Sequence, residues 1–224
     1  KSLPILSLPE QMILQQYLEE HPDALNLGIL LCLLTGIRIG ELCALTWEKI
    51  SISERNIYIC QTMQRIQNRV PGSKKTHIEI ASPKSSSANR NIPISNLLFG
   101  FLERYSLSHT GFFLSGSPSK FIEPRCIQRR FHKILDACGL EKRNFHVLRH
   151  TFATHALISG VDAKTLSGIL GHTNASFTLD TYTHVTPDMQ QEASHIVGGF
   201  LEDLLGKDLK PWQKHRPEGG AYHG

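Results

Sequence analysis

The feature that most constrains the fold is an apolar segment near the start of the chain, Leu27 to Leu34, the longest apolar run in the sequence. Asp23 precedes it at a helix N-cap position, and Gly36 follows it as a natural helix stop. A helix that is apolar on nearly every side belongs in the centre of a domain, and this run is far too short to cross a bilayer. We therefore expect the fold to form around this helix, with Arg38 held rigidly at its exit.

The rest of the chain predicts a mainly helical protein. With 224 residues and a hydrophobic content of 40%, it can form one large domain or two small ones with a proper core. Ser7 and Glu10 have the spacing of a capping box, which opens a helix that runs to about Glu20. Apolar periodicity and capping residues predict further helices at Pro124 to Cys138, Phe145 to Ser159, Asp162 to Gly171 and about 187–205.

The middle of the chain changes character and predicts β-structure. Three short segments are β-branched and partly alternating, namely Asn56 to Cys60, His77 to Ile80 and Asn91 to Ile94. We interpret them as one small antiparallel sheet, with its last turn near Lys84 to Asn89. The predicted fold class is mostly α with a small antiparallel β-sheet, an α+β fold.

Charge and cysteine content give weaker indications. The net charge of +4 says little, but residues 120–150 contain eight Lys/Arg against three Asp/Glu. This suggests a surface that faces phosphates, although a solvated helix face explains each single charge equally well. The five cysteines include no CxxC pair, which indicates buried free thiols in a reducing cytoplasm. The chain opens without a signal segment, so we expect a cytoplasmic protein with no membrane contact.

A small set of side chains offers the parts of a phosphoryl-transfer site that uses no metal ion. Arg38 and Arg149 carry planar guanidinium groups that suit the two non-bridging oxygens of a phosphate. His146 shares a helix face with Arg149, and His172 follows a glycine from which its ring can project into a cleft. Tyr182 offers a phenol that can form an ester with phosphate. Each residue alone has a commoner structural explanation, so the prediction rests on the combination, with DNA as the expected substrate.

Three blocks of sequence carry these residues, and together they resemble the signature blocks of the tyrosine recombinases, in particular the integrases of phages and conjugative transposons. The blocks are Thr35-Gly36-Ile37-Arg38-Ile39-Gly40-Glu41-Leu42, His146-Val147-Leu148-Arg149-His150-Thr151-Phe152-Ala153-Thr154-His155, and Leu170-Gly171-His172 with Thr181-Tyr182-Thr183-His184-Val185. They stand in the family's order, and the resemblance extends from about residue 8 to 205. It implies the fold of a DNA breaking-rejoining catalytic domain.

The resemblance also implies a catalytic lysine on a β-hairpin, which we place at Lys84. The family pattern is Lys-Thr, a few small or basic residues, and then Arg-x-Ile-Pro. The segment from Lys84 to Pro93 matches this pattern in length and at both ends, with Ser85 in place of the common Thr. Lys74 and Lys75 are rival candidates, but they lack the downstream Arg-x-Ile-Pro.

The mechanism implied by the resemblance is site-specific DNA recombination without metal, ATP or any other cofactor. Tyr182 attacks the scissile phosphate, forms a 3′-phosphotyrosine and releases a 5′-hydroxyl, which Lys84 protonates. The arginines hold the phosphate oxygens, and the histidines add hydrogen bonds and assist proton transfer. The implied catalytic residues are Arg38, Lys84, His146, Arg149, His172 and Tyr182.

The resemblance further implies how the chain is organised and what it binds. Residues 1–205 form the catalytic domain, followed by a flexible tail over 206–224. The last helix, at about 187–205, is expected to dock on a neighbouring protomer, with packing on its own protomer as the open alternative. The first residue is Lys1, so we expect a fragment without the family's N-terminal DNA-binding domain. Its expected partner is a double-stranded recombination site, bound as a homotetramer that is monomeric when free, with accessory DNA-bending proteins as further candidates.

Three alternatives remain open at this stage. A zinc site could use His146 and His150, but Val147 stands where a metalloprotease has Glu, and Arg149 would repel a cation. A type IB topoisomerase-like enzyme would use the same chemistry and religate in place of exchanging strands. A DNA-binding module that is inactive in isolation would bind weakly and with steep salt dependence.

Overall fold

A computed structural model describes residues 4–68, 75–82, 89–106 and 110–172. Within these ranges the α-helices are α1 (Leu8–Glu20), α2 (Ala24–Thr35), α3 (Ile39–Ala44), α4 (Asn96–Ser106), α5 (Pro124–Ala137), α6 (Val147–Ile158) and α7 (Ala163–Leu170), with a short 3-10 helix at Trp47–Lys49. The strands are β1 (Ile50–Ser51), β2 (Asn56–Ile59), β3 (Thr62–Gln67), β4 (Thr76–Ala81) and β5 (Arg90–Pro93). The last helix expected at about 187–205 and the tail at 206–224 lie outside the described residues.

Helix α2 is the centre of the fold, as its apolar sequence predicts. The Asp23 carboxylate accepts a hydrogen bond from the backbone N–H of Asn26 at 2.8 Å, and Gly36 ends the helix in a left-handed conformation with a φ of 68°. Every residue from Leu27 to Leu33 is buried. Helices α1, α3, α4, α5 and α6 all contact α2, so the elements that follow it are positioned against one rigid core.

Within the described residues the strands form two sheets, so the prediction of a single small sheet was wrong. Strands β1, β2 and β5 form a three-stranded antiparallel sheet, and β3 pairs with β4 in a separate two-stranded one. The three predicted segments coincide with β2, β4 and β5, but β3 was not predicted. Only Met63 of this strand is buried, and most of the other residues are polar. The strand therefore has little apolar alternation by which its sequence could be recognised. The α+β class itself is confirmed.

The turn before α6 corrects the predicted start of that helix. The N–H groups of Val147 and Leu148 bond to carbonyls three residues back, at 3.1 and 3.3 Å, so the chain forms a tighter turn there. The helix therefore begins at Val147, two residues after the predicted Phe145, and His146 occupies the N-cap position. The predicted cap of α7 is confirmed, since the Asp162 carboxylate accepts hydrogen bonds from the backbone N–H groups of Lys164 and Thr165.

Two arginines of the basic segment over residues 120–150 pair with carboxylates of the N-terminal helices, whereas Lys120, Arg125, Arg129, Lys133 and Lys142 are exposed. The interpretation of this segment as a surface that faces phosphates therefore stays a prediction. Arg130 on α5 pairs with Asp23 at the start of α2. Arg143 pairs with Glu10 at 2.8 Å and is only 17% exposed. These arginines join α5 and the loop before α6 to the N-terminal helices, and they act as structural ties.

The five cysteines and the membrane prediction can be compared directly with the structure. All five thiols are free, and Cys32 and Cys43 are buried as predicted, while the other three are half-buried. Burial raises the pKa of the Cys43 thiol to about 12. Among the described helices, none combines the length and apolar character that crossing a bilayer requires.

Candidate functional site

Arg38 is positioned by the end of one helix and the start of the next. It follows the Gly36 turn of α2 and serves as the N-cap residue of α3. Its backbone N–H donates to Oε2 of Glu41 at 2.8 Å, and its guanidinium Nη1 donates to Oε1 of the same carboxylate at 3.0 Å. Glu41 therefore holds Arg38 at its backbone N–H and at its guanidinium. The side chain is nevertheless 37% exposed, so the guanidinium still reaches solvent.

Arg149 joins the ends of two helices from a buried position. Its Nη1 donates to the carbonyl of Gly36 at 2.7 Å, and its Nη2 donates to the carbonyl of Leu170 at 2.9 Å. Both carbonyls belong to helix C-termini that end in a left-handed glycine, Gly36 after α2 and Gly171 after α7. Such carbonyls lack a partner within the helix and carry partial negative charge, so a guanidinium satisfies both needs.

The carbonyl of Leu170 brings the two predicted arginines together. It accepts a hydrogen bond from Arg149 and a second one, at 3.3 Å, from Nη1 of Arg38. The two guanidinium groups therefore meet at the C-terminus of α7, although 111 positions separate the residues in the numbering. This meeting point is the centre of the candidate site.

His172 lies directly against this centre, and its tautomer follows from its partner. Its Nε2 is 2.7 Å from Nη2 of Arg149. Because a guanidinium only donates hydrogen bonds, Nε2 must accept and carries no proton. Burial, followed by the charges of Arg149, Arg38 and Arg90, lowers the pKa of His172 to about 4. The imidazole is therefore neutral at neutral pH.

His146 borders the same group of cations at the start of α6. Burial of its ring, followed by the neighbouring His150 and the charges of Arg149 and Arg38, lowers the pKa of His146 to about 4. Its ring stands edge-on to that of His150, with the centroids 4.5 Å apart. The residue as a whole nevertheless keeps an exposed surface, and this exposure places it at the rim of the site.

Glu41 and Arg90 belong to the site, and the sequence analysis did not assign them a role. Arg90 begins β5 and donates to both carboxylate oxygens of Glu41, at 3.0 and 2.9 Å, and its Nε donates to the carbonyl of Ile169 at 2.5 Å. Burial alone would raise the pKa of Glu41, but the hydrogen bonds and charge of Arg90, then those of Arg38, hold it below its ordinary value. The signal was present, since both residues lie inside the motifs that carry the resemblance.

The structure brings together four of the six predicted site residues. These are Arg38, His146, Arg149 and His172, which all lie around the C-terminus of α7 and the N-terminus of α6. Lys84 and Tyr182 lie outside the described residues. In the part of the chain that is described, no three His, Cys, Asp or Glu side chains come together as a metal site would need, so the zinc alternative gains no third ligand.

The arrangement has a clear electrostatic character. Three arginines and two neutral histidines surround one helix C-terminus. The carboxylate of Glu41 is buried and pairs with both Arg38 and Arg90. Guanidinium groups in fixed positions bind phosphate oxygens well, and imidazoles near them can donate or accept protons. The site therefore suits a phosphate group.

Comparison with known proteins agrees with this chemistry. The phage integrase family matches the chain over residues 10–189. A XerC-like tyrosine recombinase of Caldanaerobacter subterraneus subsp. tengcongensis is 28% identical over 176 residues, which cover 71% of this chain and 45% of that protein. A tyrosine recombinase of Pseudothermotoga lettingae is 32% identical over 209 residues, covering 91% of this chain and 63% of that protein. The chain thus spans about half to two thirds of the length of these relatives.

Solved structures share the fold. The Tn1549 transposon integrase, in complex with a circular intermediate DNA, has a TM-score of 0.66 at 21% identity, over 88% of this chain and 66% of that one. The catalytic domain of bacteriophage HP1 integrase has a TM-score of 0.55 at 25% identity, over 87% of this chain and 95% of that one. Because the family matches most of its length, this chain belongs to the phage integrase family of tyrosine recombinases, as its three sequence blocks predict.

Proposed function

We propose that residues 1–205 form the catalytic domain of a site-specific DNA recombinase that works through a 3′-phosphotyrosine at Tyr182. The observation that carries this proposal is the convergence of Arg38 and Arg149 on the Leu170 carbonyl, with His172 in contact. The names of the relatives support the reaction class, and the Tn1549 integrase, solved with circular intermediate DNA, supports DNA as the substrate.

The first step is capture of the scissile phosphate. Arg38 is the exposed guanidinium and meets one non-bridging oxygen from the solvent side. Arg149 is 2% exposed and reaches the other oxygen through Nη2, the group that now contacts His172. A phosphate oxygen is a stronger acceptor than a neutral imidazole, so the phosphate displaces His172 from this bond. Removing one such preorganised donor costs on the order of 3–4 kcal/mol in the transition state.

The second step is cleavage. The phenol oxygen of Tyr182 attacks phosphorus and passes its proton to a neutral imidazole of the site, His146 or His172. The new P–O bond forms while the bond from phosphorus to the 5′ oxygen breaks. Lys84 gives a proton to the leaving 5′ oxygen, which departs as a hydroxyl. The phosphotyrosine keeps the energy of the original phosphodiester, so a 5′-hydroxyl from a partner strand reverses the reaction without ATP.

The histidines contribute through their neutral ground state. Once phosphate replaces His172 as the acceptor on Arg149, the nearby anion raises the pKa of His172. His172 can therefore take up a proton and donate a hydrogen bond to the phosphate as negative charge develops. His146, at the exposed rim, supplies a second group of the same kind.

Recombination requires more than one protomer on the DNA. The proposed assembly is a homotetramer on a double-stranded recombination site, formed from monomers, with the helix at about 187–205 docking on a neighbouring protomer. The sequence of this segment has apolar residues at the spacing of a helical stripe, namely Ile196, Val197, Phe200, Leu201, Leu204 and Leu205. A stripe of this kind needs a partner surface, in cis or in trans.

The experiment uses a pool of duplexes with randomised sequence and with nicks at varied positions. Where a nick lies a few nucleotides beyond the cleaved bond, the short released strand diffuses away and the covalent intermediate is trapped. Denaturing gels should show a covalent protein–DNA adduct with the wild type and none with Tyr182→Phe. Sequencing the trapped strands supplies a defined substrate for later assays.

Each alternative function has a distinct outcome when the trapped sequence is also placed in a supercoiled plasmid. Adduct formation with relaxation of supercoils but no recombinant product indicates a type IB topoisomerase-like enzyme. Binding without any adduct indicates a DNA-binding module. An adduct that persists in Tyr182→Phe overturns the proposed nucleophile.

A further inference from the structure

The strongest feature outside the predicted residues is the buried ion pair of Arg90 with Glu41. Arg90 is 5% exposed and Glu41 is 3% exposed, whereas Arg38, the other partner of Glu41, is 37% exposed. One carboxylate therefore has an inner arginine and an outer arginine. The inner one donates to both of its oxygens, and the outer one donates to a single oxygen from its side chain.

We propose that Arg90 is a positioning residue, which neutralises Glu41 from the inside so that Arg38 keeps its charge available for the DNA phosphate. This inference rests on the proposed function and extends it to a residue that does not touch the substrate. Without Arg90, the Glu41 carboxylate would be neutralised by Arg38 alone, and Arg38 would be drawn inward to a stronger ion pair.

The charges of the three residues support this role. Each of the two guanidinium groups lies within 3.0 Å of a carboxylate oxygen of Glu41, so two cations share one anion and a net positive charge faces solvent at Arg38. Removing the charge of Arg90 makes the group neutral and lowers its attraction for an anion. Removing the charges of Arg90 and Glu41 together restores the net positive charge on Arg38.

Arg90 also connects this group to the rest of the site. Its Nε donates to the carbonyl of Ile169, one residue before the carbonyl that receives Arg38 and Arg149. A Cβ on Gly171 would lie 2.9 Å from Nη1 of Arg90, so the guanidinium packs closely against the turn that leads to His172. Arg90 therefore orders the helix end on which both phosphate-binding arginines meet.

The test compares the wild type with Arg90→Met, with the double variant Arg90→Met/Glu41→Gln and with Arg130→Met as a matched control. Arg130 also pairs with a carboxylate on the central helix, but at the N-terminal end of α2, roughly 18 Å from the Gly36 end by helix length. The double variant leaves no unpaired buried charge, so it folds even if Arg90→Met does not.

The first readout is inorganic phosphate binding, followed by the side-chain Nε–Hε NMR signal of Arg38 and assigned by its loss in Arg38→Lys. We expect phosphate to bind Arg90→Met about tenfold or more weakly than the wild type, since one charge-assisted contact is compromised. The phosphate affinity of the double variant should recover to within about threefold of the wild type, and that of Arg130→Met should equal the wild type. A purely structural role for Arg90 would not give this charge-dependent recovery.

The second readout is the rate of adduct formation on the nicked duplex, which should follow the same order among the variants. If the wild type forms no adduct but phosphate binding follows the expected order, the proposed function fails and the role of Arg90 stands. The inference is overturned if phosphate does not perturb the Arg38 signal in the wild type. It is also overturned if folded Arg90→Met binds phosphate as tightly as the wild type, or if the double variant binds phosphate as weakly as Arg90→Met.

Discussion

At the scale of single residues, the site depends on helix ends that need cationic partners. Arg149 joins the Gly36 and Leu170 carbonyls, and Arg38 and Arg90 complete the set on α7. The four described site residues could be predicted from sequence because each lies in a short motif with a recognisable spacing. The pairing of Glu41 with Arg90 could not, because 49 positions separate them and only the fold brings them into contact.

The first prediction concerns the geometry of Arg149. Arg149→Lys keeps the charge, but an ammonium cannot span the two carbonyls and His172 as a planar guanidinium does. We expect the free energy of unfolding to fall by about 1–3 kcal/mol, because buried carbonyls lose their donor. Urea denaturation measures this loss. The exposed Arg125→Lys is the control and should stay within about 0.5 kcal/mol of the wild type.

The second prediction concerns pH and rests on His172, whose ring is partly shielded. Its pKa is about 4 in the folded protein against an ordinary value of 6.5, so the unfolded chain takes up this proton first as the pH falls. The contribution to stability is complete above about pH 6.5 and is lost as the pH falls toward about 4. We expect a loss of about 1–2 kcal/mol, reduced from the full linkage value because solvent reaches the ring.

Urea denaturation between pH 8 and pH 5 measures this loss. His172→Gln keeps an acceptor for Arg149 but cannot titrate, so its stability should depend less on pH. An equal pH dependence in wild type and His172→Gln would show that His172 is not the titrating group. Saturating phosphate should also raise the pKa of His172 in an NMR titration of the wild type.

At the scale of elements, most of the longer helices were predictable, whereas the short helix α3 and the pairing of the strands were not. Caps at Ser7, Asp23 and Asp162 and the stop at Gly36 are local signals, and the structure has each of them. Strand β3 carries little apolar alternation, and strand pairing is a contact between distant segments. Helix α6 begins two residues later than predicted because a tighter turn precedes it.

The third prediction tests the end of α2, which supports Arg38 and accepts from Arg149. Gly36→Ala would strain a φ of 68° and place a Cβ 2.5 Å from the Phe152 ring and 2.8 Å from Leu170. We expect the free energy of unfolding to fall by about 2 kcal/mol or more, by denaturant titration. Gly100→Ala, where an added Cβ meets nothing within 4 Å, should stabilise the protein by up to about 1 kcal/mol. Equal effects at both glycines would contradict this explanation.

At the scale of the whole molecule, family and fold follow from the chain, and its assembly on DNA is a proposal. The order of the three sequence blocks was sufficient to predict the family, and the match over residues 10–189 confirms it. The chain spans only part of its relatives' length. The phosphate contacts proposed for Arg38 and Arg149 are cationic, so DNA binding through them is expected to weaken as the salt concentration rises.

The fourth prediction concerns assembly. Deleting residues 190–224 should leave adduct formation by a single protomer within about threefold of the wild type, because the described core and Tyr182 remain. It should reduce the protein–DNA complexes that contain several protomers, because the apolar stripe is removed. Native gel shifts and sedimentation on the trapped DNA sequence measure both. Normal recombination by the truncated chain would contradict docking of this segment on a neighbour.

The most direct measurement is to identify the bond in the trapped adduct. Adduct formed on the nicked duplex is digested with nuclease and trypsin, and the modified peptide is sequenced by mass spectrometry. The proposed mechanism predicts a single modified residue, Tyr182, linked to a 3′-phosphate, with a 5′-hydroxyl on the released strand that polynucleotide kinase can label. A modification on any other residue, or a 5′-phosphate linkage, would contradict it.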